Sequence, residues 1–270
     1  MIVDTTSYAV QARARLWNLM LGGSEAYEND RWLLDSLTKA VPNVAQLAVN
    51  EREFVDRLWR YASGTRGIEQ VVHIGAPLPA GLPPHRRLAQ PGRVVYVENE
   101  ELLARKGEAW LTGPDVAVAH ADPLDIAELV DAVSKTELRS GTLDWLEPIA
   151  VIAPGVLSWV GEPQARTWVK RLLEELPTGS VLATTHLFDP QLAESVVPIE
   201  QLLFHLDGQV GAGFFRRQAA IENLIPAGVA LDHPGMQLAV DWWPNGPRLR
   251  PVSLVDQLLA AVVGTISRST

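Results

Sequence analysis

Arg93-Val94-Val95-Tyr96-Val97-Glu98-Asn99 is the stretch on which the fold turns. Four apolar residues in a row, three of them valine, are too few for a helix. They suit a strand covered on both faces, and an acid stands where the strand runs out. Similar short apolar runs fall at 70–75, 116–121, 149–154 and 180–186. Helical patterns lie between them at 84–90, 100–110, 124–134 and 164–176. Such alternation predicts a mostly parallel sheet with helices on both faces. The crossovers are right-handed, so the strands' C-terminal ends open onto one shared crevice.

Upstream the text is helical. Residues 7–21 carry Val10, Ala14, Trp17 and Leu21 near helical spacing, and Gly22-Gly23 stops the run. A second helix is expected over 30–39, ending before Pro42. A third, over 43–62, lines up Val44, Leu47, Ala48, Phe54, Val55 and Leu58, with Glu51 interrupting the stripe. Residues 1–66 thus read as a helical N-terminal cap and 67–270 as the α/β domain. After His186 helix is expected to about Asn223, then two strand-like runs at 236–243 and 258–266. In the first of these Trp242 and Trp243 would point to opposite faces, one of them toward a cavity.

The 270 residues are 47% hydrophobic and 20% charged, the balance of an ordinary globular chain. The net charge of -9 argues against nucleic acid or an anionic membrane as partner, since both need positive potential. There is no cysteine, which removes disulfides, thiolate metal sites and thiol nucleophiles. No basic-then-apolar leader opens the sequence and no uncharged apolar run reaches the roughly 18 residues of a membrane span. The expected location is the cytoplasm.

Ligands of open α/β sheets sit beyond the strand C-termini. The candidates are therefore Gly75, Ala76 and Pro77 after the first strand, Glu98 and Asn99 after the second, Asp122 after the third and Pro154 after the fourth. Glu98 follows the glycine-bearing loop by about 20 residues, a spacing suited to accepting hydrogen bonds from a ribose diol. A helix-start carboxylate is the plainer reading of the same residue. Asp122 either caps the next helix or reaches an adenine amino group. The first loop has only Gly75 of a G-x-G-x-x-G, with Pro77 in the next glycine's place. The six histidines show no metal-binding spacing, so no metal is expected. His73, within an apolar strand, reads as a core histidine. Ser158 lacks the spacing of a nucleophile elbow, and no phosphate-binding P-loop is present.

Ala14-Arg15-Leu16-Trp17-Asn18, Leu21-Gly22-Gly23, Tyr27 and Asp30-Arg31 resemble the opening signature of a family of actinobacterial S-adenosylmethionine-dependent methyltransferases. Arg52-Glu53-Phe54, Val94 to Glu100, Leu176 to Ser180, Thr185-His186, Pro226 to Val229 and Trp243-Pro244 resemble later family motifs, in order, along nearly the whole chain. The resemblance implies a class I, Rossmann-like methyltransferase: a seven-stranded sheet with its last strand antiparallel. It implies S-adenosylmethionine as cofactor, with Gly75 under the methionine and sugar, Glu98 on the ribose hydroxyls and Asp122 near the adenine. The expected acceptor is a small molecule, in secondary metabolism, with a homodimer open as the assembly.

The sequence departs from the family where the cofactor should lie. His73 stands where the family has an acid, Pro77 where it has glycine, and Ser24 where it has lysine. Glu51 replaces an asparagine, Pro83 and Arg86 replace N and E of an N-x-H-E stretch, and Ser158-Trp159 replace H-F. The changes at His73, Pro77, Pro83, Arg86 and Ser158 are expected to cluster along one crevice. Two alternatives stay open beside methyl transfer. One is the same scaffold turned to other chemistry such as cyclisation; the other is a binding or regulatory protein that has lost the cofactor. No catalytic residue emerges from the sequence.

Overall fold

Short β-branched runs form five parallel strands, each within one residue of its expected bounds: β1 (Gln70–Ile74), β2 (Arg93–Glu98), β3 (Val116–His120), β4 (Ile149–Ala153) and β5 (Val181–Leu187). The computed structural model describes residues 5–75, 77–87, 92–226, 229–232, 235–243 and 250–267. The candidate Ala76 lies outside the described residues. So do 88–90 of the helix expected over 84–90, which is otherwise one 3-10 turn (Pro84–Arg87).

Three helices precede the sheet: α1 (Thr5–Met20), α2 (Glu28–Ala40) and α3 (Gln46–Arg60), the last running into a π turn (Tyr61–Thr65). Between and after the strands come α4 (Glu101–Trp110), α5 (Ile126–Lys135), α6 (Glu162–Glu175), α7 (Val196–Val210) and the short α8 (Gln218–Glu222). The continuous helix expected to Asn223 is thus broken. Residues 211–217 return to the C-terminal end of β5, where Phe188 bridges Arg216.

The sheet order is β3-β2-β1-β4-β5-β8-β6, with β6 (Val229–Leu231) and β8 (Leu259–Ile266). β8 runs antiparallel to both β5 and β6. The two-residue β7 (Gln237–Leu238) pairs with β8 on the edge that β5 leaves open, so β6 and β7 act as two pieces of one interrupted edge strand. That is why eight strands occupy the seven expected positions. The run 236–243 is therefore not a strand beyond Leu238. It turns, because Arg57 donates to the carbonyls of Ala239 (2.6 Å) and Trp242 (2.9 Å). Trp242 packs edge-on against Phe54 and Tyr61, while Trp243 is 43% exposed at φ 45°. The two rings do not point to opposite faces as expected: the turn leaves them 6.1 Å apart, both edge-on to Tyr61.

Alternate strand residues feed two cores. Val71, Tyr96, Ile152, Ala183 and Val263 meet Leu16, Leu37, Phe54, Leu58 and Leu206 from α1, α2, α3 and α7. Val72, Val95, Val151 and Leu182 meet Leu129, Trp168 and Leu172 from α5 and α6. Among the described residues no helix is long and apolar enough to cross a membrane.

The opening signature is a joint between helices and loop. Arg15 pairs with Asp30 at 2.7 Å, both buried, and Asp30 also accepts from the Tyr27 amide (2.8 Å) at the start of α2. Asn18 accepts from the Glu25 amide (3.0 Å) and donates to the Pro79 carbonyl (2.9 Å), fastening α1 to the loop after β1. A Cβ on Gly23 would lie 2.2 Å from the Asn18 amide, so only glycine leaves that side chain its place. Gly23→Ala is expected to cost about 1–3 kcal/mol, because Asn18 must give up both bonds. Thermal unfolding checks this, and an unchanged midpoint would contradict it.

Candidate functional site

Strand register assembles the crevice. Ile74 pairs with Val97, so the next residues, Gly75 and Glu98, emerge side by side. Ala153 pairs with Thr184, so Pro154 and Thr185 do the same across β4 and β5. Gly75 has φ 87°, a left-handed conformation that favours glycine, and donates its amide to the Val97 carbonyl at 2.8 Å. A Cβ there would meet nothing within 4 Å, so the strand end faces open space. Pro77 is half-buried beside it.

Glu98 is 6% exposed, and its Oε1 accepts from the Glu100 amide at 3.2 Å. α1 brings Arg13 into electrostatic reach of this carboxylate. Burial lowers the Arg13 pKa to about 10, with Glu98 acting in the opposite sense. The Arg13 guanidinium lies over the Trp159 ring, 4.7 Å from its centre. Gln11, two residues earlier in α1, donates to Glu100 at 2.8 Å. α1 therefore lies across the end of β2.

Asn99 is half-buried and its carbonyl pairs with His120 Nε2 at 3.2 Å. Asp122 is exposed and accepts from the Leu124 amide at 2.9 Å, an Asx turn. It is not the cap of α5. Asp125 is, accepting from the amides of Ala127 (3.0 Å) and Glu128 (3.2 Å). Of the two roles open to Asp122, capping therefore falls to its neighbour.

At β4 a polar chain runs inward that the sequence did not reveal. The Gly155 amide donates to Thr185 Oγ1 (2.7 Å), and that hydroxyl donates to Glu51 Oε2 (2.5 Å). Trp17 Nε1 donates to Glu51 Oε1 at 2.8 Å. Burial pushes the Glu51 carboxyl above its ordinary range, against the pull of the two hydrogen bonds. The sequence signals were the acid breaking the apolar stripe of α3 and its standing where the resembled family has an asparagine.

The substituted positions do not all gather in the crevice as expected: Pro77 lies beside Gly75, but others are drawn away. His73 turns into the core under α3, its ring 5.0 Å from Tyr96 and 6.3 Å from Trp59, with Nδ1 on the Gly75 carbonyl at 3.0 Å. Burial lowers its pKa to about 4, so the ring is neutral at physiological pH. Arg86 reaches Thr112, which precedes β3 and lies at the opposite end of the sheet. His85 stands against Thr112 and Tyr96. Ser158 is buried, its Oγ accepting from the Leu187 amide at 2.9 Å. The inside-outside alternation of strands and the pull of unsatisfied backbone groups take these side chains elsewhere. Two cavities, of about 610 and 310 Å³, open at the strands' N-terminal ends around Glu69 and Arg93, away from Gly75, Glu98 and Gly155.

The family described as S-adenosyl methyltransferase matches residues 3–267. A DUF574 family protein from Streptomyces avermitilis is 26% identical, with 94% of this chain and 97% of that one covered and a TM-score of 0.83. A candidate methyltransferase from Thermobifida fusca is 25% identical, with 98% of each chain covered and a TM-score of 0.84. The Synechocystis magnesium protoporphyrin IX methyltransferase, solved with bound S-adenosylhomocysteine, shares the fold at 12% identity: TM-score 0.57, with 97% of this chain and 98% of that one covered. Among curated proteins none matches. With β8 antiparallel in an otherwise parallel sheet, and a match from end to end, the chain belongs to the S-adenosyl methyltransferase family and has the class I methyltransferase fold.

Proposed function

We propose that this protein transfers a methyl group from S-adenosylmethionine to a small molecule. The observation that carries the reading is the pair at the ends of β1 and β2: Gly75 at positive φ under open space, beside the buried Glu98. These residues fit the nucleoside half of the cofactor, since a glycine lets backbone approach the sugar and a carboxylate accepts from its two hydroxyls. Glu98 and Gly75 would hold the ribose, and Asn99, Asp122 and Pro154 would border it. The cofactor, when bound, supplies an electrophilic methyl on a sulfonium. The protein's own contribution is orientation and exclusion of water, with α1 and Trp159 closing over the site.

Calorimetry with S-adenosylhomocysteine tests this. The wild-type chain is expected to bind, and Glu98→Gln to raise Kd by about ten- to a hundredfold, the range for a hydrogen bond to a charged group. No heat from wild type at millimolar ligand would end the reading. A second reading, the scaffold without its cofactor, draws on the neutral His73 at the end of β1. The same titration decides between them.

A further inference from the structure

Four carboxyls are buried among the described residues: Asp30, Glu51, Glu98 and Asp256. Asp30 faces Arg15, Asp256 faces Arg250, and Glu98 lies within reach of Arg13. Glu51 differs from all three, because its partners, Trp17 Nε1 and Thr185 Oγ1, are neutral donors. Two neutral hydrogen bonds orient a buried carboxylate without offsetting its desolvation; a cation would.

Glu51 also presses on a strand end. A Cβ on Gly155, the second residue past β4, would lie 3.3 Å from its Oε2. The sheet order puts β4 next to β1, and β1 next to β2. A ligand with its ribose at Glu98 and its chain crossing Gly75 therefore points its far end at Gly155 and Glu51. In β1, His73 is turned into the core and offers no negative charge.

We propose that Glu51 receives the α-ammonium group of the cofactor's aminoacyl end, supplying from α3 the negative charge that β1 lacks. This rests on the methyltransferase reading, and the test keeps the two apart by comparing ligands with and without that end. S-adenosylhomocysteine carries the aminoacyl group; adenosine does not. Glu51→Gln keeps the shape, and Thr185, whose hydroxyl can rotate, can accept from the new amide.

Calorimetry on both proteins with both ligands is expected to show S-adenosylhomocysteine weakened about ten- to a hundredfold in Glu51→Gln. Adenosine should bind the two proteins alike. Equal weakening of both ligands would mean that Glu51 merely shapes the pocket, and would overturn the proposal. So would unchanged S-adenosylhomocysteine binding, including the case in which only turnover falls and Glu51 serves the acceptor instead. If wild type binds neither ligand, the functional reading fails first. Should Glu51→Gln not fold, Glu51→Asp keeps the charge but withdraws it by one methylene. It must then weaken S-adenosylhomocysteine and spare adenosine, and any other pattern overturns the assignment.

Discussion

Asp256→Ala is expected to lower the unfolding free energy by about 1–3 kcal/mol, the range for leaving a buried hydrogen-bond donor without its acceptor. Asp256 is fully buried just before β8. Its Oδ1 accepts from Asn50 (2.9 Å) and Arg250 Nη2 (2.9 Å). Its Oδ2 accepts from Arg250 Nη1 (2.5 Å), the Ser253 amide (2.7 Å) and the Ser253 hydroxyl (2.8 Å). Burial alone would push this carboxyl up, yet the bonds from Arg250, Asn50 and Ser253 hold it well below the usual carboxylate range. Alanine leaves the buried Asn50 amide and the turn before β8 without their acceptor. Asn50 directly precedes Glu51, so the same variant should also loosen the register of α3 over the crevice. Urea unfolding with a two-state fit measures the loss, and a change under about 1 kcal/mol would show that the cluster is solvated.

Acid should weaken the fold well before carboxylates titrate. His73 and His186 are buried, and desolvation lowers their pKa values to about 4 and about 3, with Arg216 adding to the effect at His186. An unfolded histidine titrates near pH 6.5, so below that pH the unfolded chain binds protons the native chain refuses. The stability from these two groups is complete above pH 6.5 and is lost progressively down to pH 4 and 3. By pH 5 each contributes a loss of about 2 kcal/mol, from 1.36 kcal/mol per unit over 1.5 units. His85, also lowered by burial, acts in the same direction. Glu51 acts oppositely: its folded pKa is raised, so its contribution is present below about pH 4.5 and is lost as pH rises. Comparison with a variant isolates the histidine share. His186→Leu should unfold with a shallower pH slope than wild type between pH 6.5 and 5, by about 1.4 kcal/mol per unit. Parallel slopes would contradict a neutral buried His186.

Much of the sheet was legible because a strand's signal is local. Val94 to Val97 or Ile149 to Ala153 read as buried strands from their own composition, and right-handed crossovers then fix where their ends point. The candidates at Gly75, Glu98, Asp122 and Pro154 follow from that rule alone. The edge was less legible. β6 has three residues and β7 two, too short for periodicity to register, and Trp242 is set by an arginine 185 residues away.

By itself, then, the sequence determined the fold class, the family and which loops meet at the crevice, since these depend on order and local pattern. Only the tertiary structure decided what the departures from the family do. It turned His73 into the core, sent Arg86 to the far end of the sheet and spent Ser158 on a backbone amide. It also brought Glu51 to Thr185 across 134 residues and set it against Gly155. A side chain's partner depends on register and helix packing over such separations, and no local pattern encodes that distance.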